Sequence, residues 1–311
     1  MRPRAPRATA LVLAGAAAAA AIGLGGCKAT VAKLSDGVWS VSAPGVANYG
    51  IVAGEFGTVV IDSGPGPVPG DELAKLARRL TMCEVTYLVN TSADPRRVLG
   101  NQSFKRAEII AHSEVADELE VRGSAILRRL RSHPKAKALG AGECRIIGPT
   151  LTFEKRTALR MPDRALIISY PGGGPSPGAS AVWLPEEKIL FAGDYVLVRT
   201  APELGESVDL AAWIASLDAL ESVAGEGARV VPGEGELSGP ECIAWMRDYL
   251  KELHTAVGQL AAAGATLEAT LKTVRMKRYR SWAGHSERLE ANVAAAYHAA
   301  ARLAPAGRKE D

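Results

Sequence analysis

Two stretches of this sequence share one pattern, and that pattern decides the fold class. Residues 51–62 read IVAGEFGTVVID, and residues 181–194 read AVWLPEEKILFAGD. Each has a short apolar strand, a charged turn, a second apolar strand and an Asp at its exit, which is typical of a β-hairpin. Repeated hairpins with helices between them predict a duplicated α/β sandwich, with two sheets face to face and helices outside.

Outward from these hairpins, the chain is rich in strands first and in helices last. Periodicity and turn residues predict strands at 37–43, 50–53, 57–61, 85–89, 108–111, 145–147, 166–169, 180–184, 189–192 and 229–231. They predict helices at 71–80, 113–131, 209–220, 241–261, 267–274 and 287–303. No linker or low-complexity run divides the sequence.

Composition indicates a globular protein that does not bind nucleic acid. The 311 residues are 47% hydrophobic and 23% charged, which excludes a disordered chain. Lys and Arg number 37 against 34 Asp and Glu, and three of the arginines are Arg2, Arg4 and Arg7. Without those three the balance is 34 against 34, so the body carries no electrostatic footprint for nucleic acid.

The first 26 residues are predicted to be a targeting signal. The basic start is followed by an apolar run at 8–24 that is too short and too rich in Ala for a good membrane span. The run ends Leu24-Gly25-Gly26-Cys27, which resembles the bacterial lipobox. An ordinary secretory signal or an uncleaved anchor is the alternative.

The lipobox resemblance implies cleavage before Cys27 and acylation of that residue, with 27–33 as a lipidated tether. The expected partner is therefore a membrane, and the expected location is the bacterial cell envelope. Lys28 follows the cysteine, and by the rules for Gram-negative lipoproteins this favours the outer membrane, facing the periplasm.

The remaining cysteines and the histidines point to no metal centre of their own. Cys83, Cys144 and Cys242 lack C-x-x-C spacing, allow at most one intrachain disulfide and are predicted to be small buried residues. The five histidines are expected at the surface or in packing positions. They are His112, His133, His254, His285 and His298.

One block of sequence carries a family resemblance. Residues 48–54 (NYGIVAG) and 60–64 (VIDSG) resemble the opening of the metallo-β-lactamase superfamily. Further segments follow in the family's order and spacing: VTYLVNTSADPRRVLGN at 85–101, AEIIAH at 107–112, LPEEKILFAGD at 184–194, the helix at 213–220 and VVPGEG at 230–235. The resemblance covers 34–237 and implies a four-layer αββα sandwich of class α/β, with 238–311 as a C-terminal helical extension.

The family's chemistry does not carry over with its fold. That fold works by two metal ions, usually zinc, which activate a bound water. Matched residue by residue, the H-x-H-x-D-H motif becomes Ser92, Asp94, Arg96 and Arg97, and two later histidines become Pro175 and Glu234. The bridging Asp is retained as Asp194. Asp62, at a strand exit, is expected to support the site from behind. No catalytic residue is assigned, and no cofactor is expected.

Charge decides what occupies this place. Asp94, Asp194 and Glu234 are expected to converge, and three carboxylate pairs at ~5 Å would cost roughly 10 kcal/mol at an effective dielectric of ~20. A cation must offset this repulsion. The simplest interpretation is that Arg97, with or without Arg96, replaces the metal and pairs with Asp194 and Glu234. The alternatives are that both arginines face solvent, or that the three carboxylates hold a hard metal such as Mg²⁺, Mn²⁺ or Ca²⁺.

Two function classes follow from these residues. One is a membrane-anchored, non-catalytic member of the superfamily that binds an unidentified small molecule or protein partner. The other is a hydrolase that keeps activity with altered ligands or a non-zinc metal. A purely structural envelope lipoprotein makes the same prediction of no activity but needs no pocket.

Overall fold

A computed structural model describes residues 20–24, 27–42, 46–55, 57–205 and 208–303. Most of the predicted targeting signal, residues 1–19 and 25–26, lies outside the described residues, as does the end of the C-terminal extension at 304–311. Among the described residues, no helix combines the length and the hydropathy needed to cross a bilayer.

The first sheet is built in strict chain order. Its eight described strands are β1 (Ala20–Leu24), β2 (Cys27–Ser35), β3 (Val38–Ser42), β4 (Tyr49–Gly54), β5 (Gly57–Ile61), β6 (Val85–Val89), β7 (Glu108–His112) and β8 (Leu151–Phe153). Strands β1 to β5 pair antiparallel, and β5 to β8 pair parallel. The carboxyl ends of β5, β6 and β7 therefore share one edge.

The second sheet has five described strands and contains the other hairpin. They are β9 (Arg156–Arg160), β10 (Ala165–Ser169), β11 (Ala181–Leu184), β12 (Ile189–Leu197) and β13 (Arg229–Glu234), in the order β13-β12-β11-β10-β9. The pairs from β9 to β12 are antiparallel, and β12 pairs parallel with β13. A register shift between Phe191 and Gly193 interrupts that parallel pair close to Asp194.

Helices connect and cover the sheets. They are α1 (Pro67–Thr81), α2 (Pro95–Val98), α3 (Ser113–Arg131), α4 (Ala136–Leu139), α5 (Leu210–Ala224), α6 (Glu241–Ala262), α7 (Leu267–Thr273) and α8 (His285–Leu303). Short 3₁₀ turns lie at Asn101–Ser103 and Lys277–Tyr279.

Three apolar layers give the molecule its αββα order. Between the sheets, Val59 and Ile61 of the first sheet pack with Ile168 and Phe191 of the second. Helix α1 covers the outer face of the first sheet. Helices α5, α6 and α8 share one core with the outer face of the second sheet. The four-layer sandwich implied by the sequence is the observed architecture, and the C-terminal helices are part of its outer layer.

Two expectations about elements are wrong. Residues 145–147 form no strand, and the edge of the first sheet is instead β8, six residues after Arg145. Residues 27–33 are not a tether but most of β2, in which Ala29 and Val31 are buried against the sheet. The sheet also continues into β1, within the segment predicted to be removed as a signal.

Candidate functional site

The loop after β6 delivers two arginines to the edge shared by both sheets. Asp94 caps α2: its side chain accepts from the backbone N–H of Arg96 at 2.7 Å. Pro95 occupies the first helical position, where its fixed φ suits a helix start. Because successive residues of a helical turn point about 100° apart, Arg96 faces the cavity described below while Arg97 points inward. The side chain of Arg97 is only 1% exposed.

The guanidinium of Arg97 binds one Asp from each sheet. Its Nη1 donates to Asp62 Oδ2 at 2.6 Å, and its Nε donates to Asp194 Oδ2 at 2.8 Å. A second bond joins Nη2 to Asp194 Oδ1, so that carboxylate is held bidentately. Nη2 also lies 3.3 Å from the carbonyl of Gly233. Arg97 therefore joins β5, β12 and β13 at the point where the sheets meet.

A buried polar network fixes the backbone of the same residue. The carbonyl of Arg97 accepts from Ser63 Oγ at 2.8 Å and from Asn90 Nδ2 at 3.2 Å. Asn101 closes the network, because its Oδ1 lies 2.7 Å from Ser63 Oγ, whose one proton it shares with the Arg97 carbonyl, and accepts from Asn90 Nδ2 at 3.1 Å. Buried polar groups that are fully paired in this way define a single conformation. The arginine is thus held at both ends.

Asp62 is in turn oriented by the strand beside it. It directly follows β5 with a left-handed φ of 62°, a conformation that Asp tolerates better than most residues. Its carboxylate accepts from the backbone N–H and the hydroxyl of Thr91, both at 2.8 Å. All of its strong contacts therefore come from the loop that also carries Arg97.

Arg96 forms a second ion-pair group nearer to solvent. It binds Asp94 bidentately, at 2.9 Å from Nε and 2.8 Å from Nη2, and its Nη1 contacts Glu234. Its side chain is 31% exposed, against 9% for Glu234. The expected pair between Arg97 and Glu234 is therefore wrong: Glu234 belongs to Arg96, and Asp62 takes its place beside Arg97. Side-chain reach across the sheets decided this, which spacing along the chain does not show.

Burial and ion pairing act against each other on the pKa values of this site. Burial raises the pKa of Asp62, although Arg97 and Thr91 oppose it. Burial also acts to raise the pKa of Asp194, but Arg97 outweighs it and lowers that pKa to about 2. Desolvation acts to lower the pKa of Arg97, and the two Asp carboxylates raise it well above its ordinary value. Arg97 and Asp194 are thus a charged pair at neutral pH.

Glycines make room for the buried guanidinium. A Cβ on Gly233 would lie 2.7 Å from Arg97 Nη2 and 2.5 Å from the carbonyl oxygen of Gly193. Gly193 has a φ of 55° at the register shift of β12, and a Cβ there would approach Ser180 and Thr91. The close approach of β12 and β13 around Arg97 therefore requires Gly at both positions.

A cavity of about 330 Å³ opens above the two arginines. Its floor and one wall contain the matched positions Asp94, Arg96, Pro175, Asp194 and Glu234, together with Ser176. Helix α3 lines another wall with Glu118, Arg122, Ile126 and Arg129. The two matched positions that do not line it both bind Asp194: Arg97 as described above, and Ser92 by donating to Asp194 Oδ2 at 3.1 Å. The structure thus brings all seven positions into one region.

The donor set at this place does not fit a zinc ion. Zinc sites take Cys, His and carboxylate ligands around the ion, whereas here the guanidinium of Arg97 occupies both oxygens of Asp194. Asp94 and Glu234 are likewise engaged by Arg96. Among the described residues, no group of three or more His, Cys, Asp or Glu side chains is arranged to hold a metal ion.

The histidines and cysteines serve other places in the fold. His112 caps α3 through its Nδ1 and contacts the carbonyl of Glu154 through its Nε2 at 2.6 Å. His285 is buried beside the C-terminal helices, whereas His133, His254 and His298 are exposed. Cys83, Cys144 and Cys242 are free thiols.

Sequence reasoning missed several residues that build this site. Thr91, Ser63, Asn90, Asn101 and Gly233 hold Arg97 or its partners, and none was singled out. The available signal was position: Ser63 follows a strand exit, and 90–91 follow the next parallel strand. Because the carboxyl ends of neighbouring parallel strands meet at one edge, these residues could have been grouped with Asp62 and Arg97.

Comparison with known sequences gives the same family along most of the sandwich. The sequence profile of the Metallo-beta-lactamase superfamily matches residues 43–234. A metallo-beta-lactamase type 2 of Bacillus cereus is 26% identical over 231 residues, which is 71% of this chain and 82% of that protein. The enzyme of the same name from Bacteroides fragilis is 37% identical over 85 residues, 27% of this chain and 34% of that protein.

Solved structures share the fold at low sequence identity. A metallo-beta-lactamase from Pontibacter korlensis has a TM-score of 0.60 at 22% identity, covering 72% of this chain and 99% of that one. A stereoselective inverting sec-alkylsulfatase from Pseudomonas sp. has a TM-score of 0.71 at 18% identity, covering 90% of this chain and 51% of that one. At these identities the structures show a common fold, and the profile match spans more than half of the chain. The chain belongs to the metallo-beta-lactamase superfamily.

Proposed function

We propose that this protein is a membrane-anchored lipoprotein whose metallo-β-lactamase-like domain is non-catalytic and binds a ligand or partner through its cleft. The observation that carries the proposal is the buried guanidinium of Arg97. Arg97 stands at a matched metal position and is bound to Asp194, which stands at another, and to Asp62. A guanidinium keeps its proton at any physiological pH, so this positive charge is permanent.

A permanent charge here opposes the chemistry of the family. Two unit charges 4 Å apart interact by about 4 kcal/mol at an effective dielectric of 20, and a divalent ion beside Arg97 would be repelled about twice as strongly. Asp194 is also lost as a ligand while Arg97 holds both of its oxygens. The domain therefore lacks the means that the family uses to make hydroxide near neutral pH.

The cavity supports a binding role. It is about 330 Å³, within the range of small-molecule sites, and it keeps polar groups on its walls. The hydroxyl of Ser176 lines it, is buried and has no hydrogen-bond partner among the described residues. A ligand that accepts or donates a hydrogen bond there would satisfy this group.

Metal content tests the non-catalytic proposal. Protein purified without a His-tag should contain less than ~0.1 equivalent of zinc by plasma mass spectrometry, because the pocket lacks a ligand set. A metal bound only to the native state would raise its thermal midpoint, so chelator should leave the midpoint unchanged. Hydrolysis of β-lactams, thioesters and phosphodiesters should remain at background.

The alternative, a hydrolase with altered ligands or a non-zinc metal, predicts different results. It requires stoichiometric metal or a clear loss of stability in chelator. It also requires turnover that survives repurification and is lost in Asp194→Ala. Either result would refute the non-catalytic proposal.

The anchoring half of the proposal is tested at Cys27. Acylation would drive the protein into the detergent phase of a Triton X-114 partition, because several acyl chains anchor a protein stably. Cys27→Ser removes the residue that would be acylated, so this variant should stay in the aqueous phase. A Cys27→Ser protein that is processed and membrane-bound like the parent would refute acylation. The proposed location is the bacterial envelope, at the outer membrane facing the periplasm.

A further inference from the structure

The proposed acylation site lies directly on the first sheet. Strand β2 begins at Cys27 itself, and β2 is paired with β3 from Thr30 onward. Two residues after the cysteine, Ala29 is 1% exposed, and Val31 is 3% exposed. Cleavage before Cys27 would remove β1, the strand with which residues 27–29 pair, and would leave β2 as the edge strand, still paired with β3 from Thr30 onward. At most three residues, 27–29, would then separate the acyl chains from the paired part of the sheet.

The strand register places Cys27 at the same end of the molecule as the cleft. One row across the sheet runs through Ala32, Ser40, Gly50 and Ile61. Asp62 is the next residue beyond this row on β5. Because β2 is antiparallel to β5 through two intervening strands, its earlier residues extend beyond the row in the same direction. Cys27 is five residues above the row, or roughly 17 Å at ~3.3 Å per residue.

The cavity opens at this same end. Its floor contains Asp194 and Glu234 from the upper parts of β12 and β13, and α3 lines its wall. Two exposed valines mark the two ends. Val121 of α3 is 80% exposed, one residue from the cavity-lining Arg122. Val223, which is 50% exposed, lies at the end of α5. The next element, β13, begins at the end of the sandwich opposite the cleft, so Val223 lies toward that end.

We propose that the cleft end of the sandwich faces the phospholipid bilayer, so that the cavity receives its ligand from the membrane surface. This inference rests on the proposed acylation of Cys27. A flexible tether of seven residues would reach up to ~23–25 Å and let the body turn freely. A sheet that begins within three residues of the acyl chains keeps its cleft end turned toward the membrane, and the exposed Arg122 and Arg129 would then face the lipid headgroups.

Fluorescence quenching in vesicles tests the orientation. Lipidated protein carrying Cys83→Ser is labelled at Val121→Cys or at Val223→Cys and reconstituted into phosphatidylethanolamine–phosphatidylglycerol vesicles with a headgroup nitroxide. Both are exposed helical valines, so they form a matched pair. The label at 121 should be quenched at least about twofold more than the label at 223. The two labels lie toward opposite ends of the sheets, whose strands rise ~3.3 Å per residue, so the label at 121 should be closer to the headgroup nitroxide.

Two further variants separate the possible failures. Cys27→Ser protein should not float with the vesicles. If the parent also fails to float, the proposed anchoring fails and the orientation with it. If the parent floats but 121 and 223 are quenched equally, or 223 more, only the orientation is refuted. A twelve-residue Gly-Ser insert after Cys27 should bring the quenching ratio close to one, and an unchanged ratio would refute attachment through β2 as its cause.

Discussion

Arg97 is the residue on which the interpretation of this cleft depends. It is one of the largest fully buried side chains in the described part of the protein, and its guanidinium is paired with two carboxylates. A buried ion pair does not by itself show net stabilisation, because desolvation offsets much of the attraction. Removing one partner is different, since the remaining charges stay buried without compensation.

Arg97→Ala is therefore expected to lower the free energy of unfolding by ~3–5 kcal/mol. Combining it with Asp194→Ala should recover part of the loss, with a coupling of at least ~1 kcal/mol in a double-mutant cycle. Urea denaturation of the four proteins measures this. Arg96→Ala, at a side chain that is 31% exposed, is the matched control and should cost less than Arg97→Ala, because solvent screens part of its ion pairs.

The partners found in the structure sharpen this cycle. Because Glu234 is bound by Arg96, coupling between Arg97 and Glu234 should be smaller than coupling between Arg97 and Asp194. Coupling of Arg97 to Glu234 as large as its coupling to Asp194 would show that Arg97 pairs with both carboxylates, as the sequence alone suggested. Single effects below ~0.5 kcal/mol that simply add would show that Arg97 faces solvent.

At the scale of elements, the cleft depends on how closely β12 and β13 approach. The register shift at Gly193 and the glycine at 233 let the two strands approach the guanidinium closely. Helix α2 sets the direction of the Arg97 side chain. Neither feature contributes a reactive group. Both determine whether a large side chain fits where the sheets meet.

Gly233→Ala is expected to destabilise the protein by ~1–3 kcal/mol, because the new methyl group would overlap a carbonyl oxygen and Arg97. Gly258→Ala in α6 is the control: nothing lies within 4 Å of its added Cβ, and the change should stabilise by ~0.4–1 kcal/mol. Thermal unfolding followed by circular dichroism compares the two. Equal effects of the same sign would contradict a packing role for Gly233.

At the scale of the whole molecule, the C-terminal helices are not a separate unit. Helix α6 buries Ile243, Met246, Tyr249 and Leu250 in the core that also contains Trp213 of α5. The boundary predicted at 237/238 thus marks the end of the family resemblance, and the apolar core continues across it.

A chain that ends at Leu237 is expected to lose cooperative unfolding. It would expose the side of α5 and of the second sheet that α6 and α8 cover, and each large apolar side chain left uncovered costs ~1.5–3 kcal/mol. Near-ultraviolet circular dichroism and a denaturant titration measure the loss. A sharp transition with native near-ultraviolet signal would show instead that 34–237 folds alone.

The sequence by itself determined the architecture. The two hairpins ending in Asp62 and Asp194, with amphipathic helices between and after them, were sufficient because periodicity and turn chemistry are local. The resemblance to the family's motifs, rather than any local pattern, predicted that the cleft positions from Ser92 to Glu234 lie together. Strand β2 was not predicted from the sequence, because a segment of small residues and lysines beside an apolar signal gives a weak strand pattern.

Only the tertiary structure decided which charge meets which. Arg96 and Arg97 are adjacent in the sequence and chemically identical. Because successive residues of a helix point about 100° apart, the two side chains lie at different depths and bind different partners. That choice depends on distances between two sheets, on room left by Gly233 and on the network around Ser63, all of which are long-range. Charge balance along the chain predicts that a cation is needed, but the packing of the sheets selects Arg97 and buries it between Asp62 and Asp194.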